Sequence, residues 1–327
     1  MLPDPESHLQ RLTIEDFLKS ISENRKQNLY KAILFPLMPF MERIKATWIA
    51  PDGMPNILIV KNAAIGETEL RDLIQTVCLA EGLLARSLEA QDLALKSLGT
   101  SKIPKTLGYF SVAKSYIMWS CAHEVFHYLR RHALVEKHFG STPETKHALE
   151  YDADLCAAAA FYRYLQHFSA KKSSIHLKKA TLQLLYCSLR INIDREVHMN
   201  FSGSNTHPHT AARILDIAGK LAMLNDFGIA DTNFEAESTR NDYEKLASLI
   251  ANLELAYIKS LDKSKEFQSS ELFSFAQKNV ELEYTLDRHK RWDEIQPLID
   301  QFSIFSRRQI DNEASIAFIG ENFSLPR

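Results

Sequence analysis

A mainly α-helical fold with a small β-sheet is what this chain predicts, on three observations. Glycine is scarce, at 10 of 327 residues, while leucine and alanine are abundant. That balance suits helices, where each interior glycine costs about 1 kcal/mol against alanine. Most of the length carries apolar residues at helical spacing with charged residues between them. The β-rich runs, TWIA, NILIVKN and GYFSV, are few and short.

Taken in order, residues 5–46 read as helices broken near Pro36 and Pro39. TWIA and NILIVKN flank a Pro-Asp-Gly turn, which predicts a β-hairpin. ETELRDL opens a long helical pattern over 67–98, with acids in its first turn. GYFSV, 108–112, reads as a short strand and 114–132 as a helix, with Gly140 as a stop. STPE, 141–144, has the form of a helix start: a hydroxyl cap, an early proline and a glutamate three residues after Ser141. That helix runs to 168 and another covers 175–195. FSGSNTHPH, 201–209, is a polar loop before a further helix. Residues 231–327 read as charged helices with an irregular tail, packed on the same domain, and no clear linker separates them from 1–230.

The bulk composition excludes several classes. A net charge of −2 and a pI of about 6.6 provide no basic field for nucleic acid or an anionic membrane. The RHKRW run, 288–292, is expected to be a solvated helix face. Cys78, Cys121, Cys156 and Cys187 form no C-x-x-C and lie in apolar surroundings, as reduced core thiols do. The first residues lack the basic-then-apolar pattern of a signal peptide, and ILFPLMPFM is too short for a bilayer. The expectation is a cytoplasmic protein with no membrane insertion.

The informative stretch is CAHEVFHYLRRH, 121–132. Residues four apart share one helix face, so His123 and His127 can point at one ion. Glu124 is rotated about 100° from His123, so it flanks the metal without coordinating it and can act on a water. This is the H-E-x-x-H arrangement of metallopeptidases. His132 is not a candidate ligand: continued as helix it stands nearly opposite His123, near the last carbonyls.

A catalytic zinc takes three protein ligands and leaves the fourth position open. Position 133, where one class has a further histidine, holds Ala133. The alternative is an acid from the next helix, and ALEYDADLCAAAA supplies it. Glu150 and Asp154 are four apart among small residues that allow close helix packing. Glu150 is therefore the expected third ligand, with Glu144 and Asp152 as the next choices. Asp154, one turn along, is placed to accept the free N–H of a ligating histidine.

H-E-x-x-H-x-x-x-x-H followed by E-x-x-A-D resembles the gluzincin peptidases of the HtpX and CAAX-endoprotease kind. A third block agrees: THPHTAARIL carries His207, Pro208 and Arg213 at the family's spacing. The resemblance covers roughly residues 114–215, with an echo at NAA, 62–64. On the same grounds the chain is similar to soluble intracellular relatives such as the Lit-type phage-exclusion peptidases. It implies a zincin-like domain over 1–230, with the motif helix packed on the E-x-x-x-D helix. It also implies one Zn2+ per chain and hydrolysis of a protein or peptide substrate. Glu124 is then the general base, His207 the oxyanion donor and Arg213 a partner for a nearby carboxylate. Asn62 is placed to bond a substrate backbone along the edge of the NILIVKN strand. His209 is expected to be a passive neighbour of His207. The alternative is a catalytically inactive protein that keeps the fold for binding or regulation.

Overall fold

The apolar runs NILIVK and TVCLA pair with each other and with two short flanking strands, and alanine- and leucine-rich segments form helices among the other described residues. The computed structural model describes residues 9–47, 54–63, 69–71, 76–99, 111–169, 175–193, 207–224, 236–261, 272 and 280–303. The strands are β1 (Gln10–Thr13), β2 (Asn56–Lys61), β3 (Glu69–Arg71) and β4 (Thr76–Ala80). The early helices are α1 (Ile14–Lys19), α2 (Asn24–Leu34), α3 (Leu37–Thr47) and α4 (Glu81–Leu98). Then come α5 (Val112–Leu129), α6 (His132–Phe139), α7 (Pro143–Phe168), α8 (Ile175–Ile193) and α9 (Thr210–Met223). The last two among the described residues are α10 (Ala236–Leu261) and α11 (Val280–Phe302).

The sheet differs from the expected hairpin. Its order is β1-β2-β4-β3, with β2 antiparallel to β1, parallel to β4, and β3 antiparallel to β4. NILIVK is thus an inner strand paired on both sides over 58–60, and Thr47 ends a helix; 48–53 lie outside the described residues. The helix expected over 67–98 is also corrected. ELR and TVCLA are strands, and helix begins at Glu81. TVCLA is buried at every position, and a wholly buried run beside a parallel partner is more stable as a strand than its periodicity suggests. QRLT, read as helix, is an edge strand whose last residue, Thr13, caps α1. GYF of the GYFSV strand lies outside the described residues; Ser111 caps α5 and Val112 opens it.

Helix α5 is the hub. Nearly all of its side chains are buried, as in a helix that is apolar all round. It packs on α4, α7 and α8, and α7 packs in turn on α9 and α11. Small residues, Cys121 and Ala122 on α5 and Ala153 and Ala157 on α7, are fully buried or nearly so and allow the close approach. Large side chains such as Phe126 and Phe161 fill the core around them, each contributing about 1.5–3 kcal/mol by burial.

Three boundaries place the functional residues. Helix α5 ends at Leu129, and Arg131, at φ 54, turns the chain into α6. Gly140, at φ 88, ends α6, and Thr142 caps α7 by accepting from the Thr145 N–H, with Pro143 at the first position. His209 caps α9 by accepting from the Ala211 N–H.

The later helices pack against this body. Helix α10 lies on α4, α8 and α9, tied by a buried Arg190–Glu254 pair at 2.7 Å. Helix α11 lies on α6 and α7, where Ile295 and Ile299 join Val135, Ala148 and Leu149 in a small core. RHKRW is not a solvated face: Arg288 is 3% exposed and bonds Asp216 at 2.6 Å, and Trp292 bonds Asp152. All four cysteines are buried free thiols, and burial pushes Cys187 up to about 12. No helix among the described residues is long and apolar enough to cross a membrane.

Candidate metal centre

His123 and His127 meet Glu150 where α5 crosses α7. The two Nε2 atoms are 3.1 Å apart. Glu150 reaches both, with Oε2 3.1 Å from His123 Nε2 and Oε1 3.2 Å from His127 Nε2. The three side chains are 6%, 14% and 12% exposed. Among the described residues these three form the one group of His, Cys, Asp or Glu close enough to hold an ion together.

The donor set fits a metal. Zinc bonds of about 2.0–2.2 Å at tetrahedral angles put neighbouring ligand atoms about 3.3–3.5 Å apart, close to the three separations here. Glu150 Oε2 is buried with no hydrogen-bond partner among the described residues, although two imidazoles adjoin it. Charge points the same way. Burial alone would lower the pKa of His123, but Glu150 and Asp154 outweigh it and raise it to about 10. Burial alone would raise Glu150, but His123 and His127 hold it well below the usual carboxylate range. The pocket is built to hold positive charge between these groups, whether a proton or a metal cation.

Behind His123 stands Asp154, whose Oδ1 lies 2.8 Å from His123 Nδ1. Arg213, in the first turn of α9, clamps this carboxylate with two bonds of 2.7 and 2.8 Å. Its guanidinium also lies over the Trp119 ring, 5.2 Å from the centroid. Asp154 is held below its usual pKa: burial opposes this, and Arg213 and then His123 overcome it.

Behind His127 the arrangement differs from the sequence expectation. His132 does not end the motif helix. The break at Arg131 returns it beneath His127, buried at 2% exposure, with its Nδ1 2.8 Å from His127 Nδ1. Its Nε2 lies 3.1 Å from Asp152 Oδ2. Asp152 also accepts two bonds from Arg130, at 2.8 and 3.0 Å, and one from Trp292 Nε1 at 3.2 Å. Burial lowers His132 to about 4 against the pull of Asp152, so its ring is neutral. Asp152 and Arg130 are held firmly charged, each overcoming burial through the other.

Glu124, next to His123 on α5, is partly exposed. His207, just before α9, is 54% exposed on its side chain, and its Nε2 stands 3.5 Å from Glu150 Oε2. His209 is buried and caps α9, so it is not a passive neighbour. Asn62 sits at the end of β2 at φ 63, its N–H donating to Glu81 at 3.0 Å. Because β2 is paired on both sides, a peptide cannot add along it as expected; the sheet edges among the described residues are β1 and β3.

The motif reading missed the parts played by His132, Arg130 and Trp292, and it held Asp152 only as a substitute metal ligand, whereas Asp152 bonds these three. One signal was available. Asp152 is rotated about 200° from Glu150 on the same helix, so it faces away from the metal ligands and needs a cation of its own. Comparison with known protein families, with curated proteins and with solved structures finds no match to this chain.

Proposed function

We propose that this chain is a zinc-dependent endopeptidase with a zincin-like active site. The observation that carries the reading is the His123–His127–Glu150 group itself. Three lone-pair donors, one from each residue, lie within 4.8 Å of one another, and a carboxylate that belongs to none of them, Glu124, follows the first on the same helix. A purely structural zinc site has no use for that carboxylate. The side-chain order of the sequence motifs, which resembles the soluble gluzincins, supports the same reading.

His123, His127 and Glu150 would hold the zinc, which when bound would supply a Lewis acid to lower the pKa of a water to about 7 and polarise the scissile carbonyl. Glu124 accepts the proton of that water and returns it to the leaving amine. His207, on the open side of the group, donates to the developing oxyanion. Asp154 and Arg213 hold the His123 ring. An extended peptide adding to a sheet edge is the substrate geometry this reading favours, at β3 beside α5 rather than at β2.

The test pairs metal analysis of the purified chain with mapping of new protein N-termini in cells. Wild type and Glu124→Gln are both expected to hold one zinc per chain. New N-termini appear only with wild type, since loss of the general base costs about 10²–10⁴-fold in rate. On a peptide spanning the mapped cut, His207→Ala keeps zinc and KM but loses about 10²–10³ in kcat. Zinc in both proteins with identical N-termini supports the alternative, an inactive fold kept for binding or regulation. Absence of zinc sinks the peptidase reading.

A further inference from the structure

The H-E-x-x-H spacing needs nothing behind His127, yet the chain places a second histidine there at a cost. Arg131 takes the left-handed conformation, φ 54, which disfavours a non-glycine residue by about 1–2 kcal/mol. That single residue ends α5 and brings His132 Nδ1 to 2.8 Å from His127 Nδ1. The proton positions follow from the partners. Asp152 is ion-paired to Arg130 through both oxygens, at 2.8 and 3.0 Å, and a carboxylate so held only accepts. His132 Nε2, 3.1 Å from Asp152 Oδ2, must therefore carry its proton. His132 Nδ1 is then bare and accepts the Nδ1–H of His127. This leaves His127 Nε2 bare, and that atom faces His123 and Glu150.

The outer end of this relay is built by a distant part of the chain. Trp292 on α11 donates Nε1–H to Asp152 Oδ1 at 3.2 Å. Arg130, fully buried, donates to Asp300 Oδ1 and Ser303 Oγ, both at 3.0 Å.

We propose that His132 is a positioning residue of the metal centre: it fixes the tautomer and ring of His127 by accepting its Nδ1 proton and anchoring on Asp152, and α11 braces that anchor. The inference rests on His123, His127 and Glu150 binding a metal. It extends that site from two helices to α11, which the peptidase reading leaves without a role.

The test uses full-length protein and zinc alone, with affinity read by chelator competition and the stability of the metal-free proteins read by urea unfolding. His132→Phe keeps a ring and removes the acceptor. His132→Asn keeps an acceptor near the Nδ1 position. The expected result is zinc binding weakened about 10–100-fold by phenylalanine, as for other groups that orient a ligating histidine. Asparagine recovers most of this, although both variants lose metal-free stability alike. Trp292→Phe weakens zinc less than tenfold. If both His132 variants lose stability but bind zinc within twofold of wild type, His132 is only a core residue and the proposal falls while the metal site stands. Asparagine binding as weakly as phenylalanine also overturns it. If wild type binds no zinc, the proposal and the peptidase reading fall together.

A measurement on wild type needs no variant to fold. Nitrogen NMR of histidine-labelled, zinc-loaded protein is expected to show His132 protonated at Nε2 and His127 at Nδ1. The opposite tautomer of His132 overturns the proposal.

Discussion

His123 and His127 face one point from one helix, yet they are held from behind in different ways. His123 meets a carboxylate directly: Asp154 at 2.8 Å, clamped by Arg213 of α9. His127 meets its carboxylate through a second imidazole, and Asp152 at the far end is satisfied by Arg130, His132 and Trp292. The short arm is charged up to the ligand. The long arm puts a neutral ring between ligand and charge. The difference teaches that one motif can have two supports with separate duties. The short arm sets how strongly His123 attracts a cation. The long arm fixes the proton on His127 and ties the centre to α11.

The comparison breaks most visibly in stability. Arg130 is fully buried and neutralises an Asp152 that is 1% exposed. Removing one partner of such a pair leaves an uncompensated buried charge, which costs about 3–5 kcal/mol. Arg130→Met is therefore expected to lose about that much in urea unfolding. Arg213→Met is expected to lose clearly less, because Arg213 is 13% exposed and His123 remains beside Asp154 as a second counter-charge. Equal losses would mean that the arms share the structural load.

The short arm was legible in the sequence and the long arm was not, for a physical reason. Glu150 and Asp154 lie four apart on one continuous helix, so their shared face follows from helical geometry alone. The Thr142 cap and Pro143 likewise mark the start of α7 by local chemistry. His132 is also within the motif, but its position depends on one left-handed residue, Arg131, that no local signal demanded. Arginine is not a residue that favours positive φ, so its conformation reflects the surrounding fold and not its own preference. Trp292 and Asp300 lie more than 130 residues from the groups they support, beyond the reach of any periodicity. The sheet failed for a related reason: β2 finds partners from both sides of it in sequence, whereas the turn residues at 51–53 argued only for a local hairpin.

The arms also separate on pH, with opposite signs. His132 falls to about 4 in the fold against 6.5 as a free group. Between those values the unfolded chain takes a proton that the native state refuses. Stability is therefore lost as pH drops from 6.5 towards 4, by about 3 kcal/mol in all. Asp152 and Asp154, both depressed, add a further loss only below the ordinary carboxylate range. His123 in the metal-free protein is raised to about 10. Its contribution is complete below 6.5 and is lost as pH rises towards 10. Urea midpoints of the metal-free protein should thus fall on both sides of neutrality. His132→Asn is expected to flatten the acid limb and leave the alkaline one. An acid limb that survives this change would assign it to other histidines.

The smallest effect sharpens the comparison most. Asp154→Asn keeps the shape and an acceptor for the His123 ring but removes the charge. A carboxylate behind a ligating histidine strengthens the ligand, and its loss weakens zinc about 10–100-fold. The same carboxylate also helps to hold a proton on His123, with which zinc must compete. Asparagine therefore weakens the bond to zinc and also weakens the competitor. At pH 7 the two effects largely offset, and chelator competition should find only a small loss. Only above pH 10 does proton competition fade in both proteins, and there the loss should approach its full size. In the long arm, His132→Phe removes a neutral acceptor and changes no competing charge, so its effect on zinc should vary little over the same range. An Asp154→Asn penalty that stays constant between pH 7 and pH 11 would mean that Asp154 orients the His123 ring without tuning its charge, and the two arms would then differ in length but not in kind.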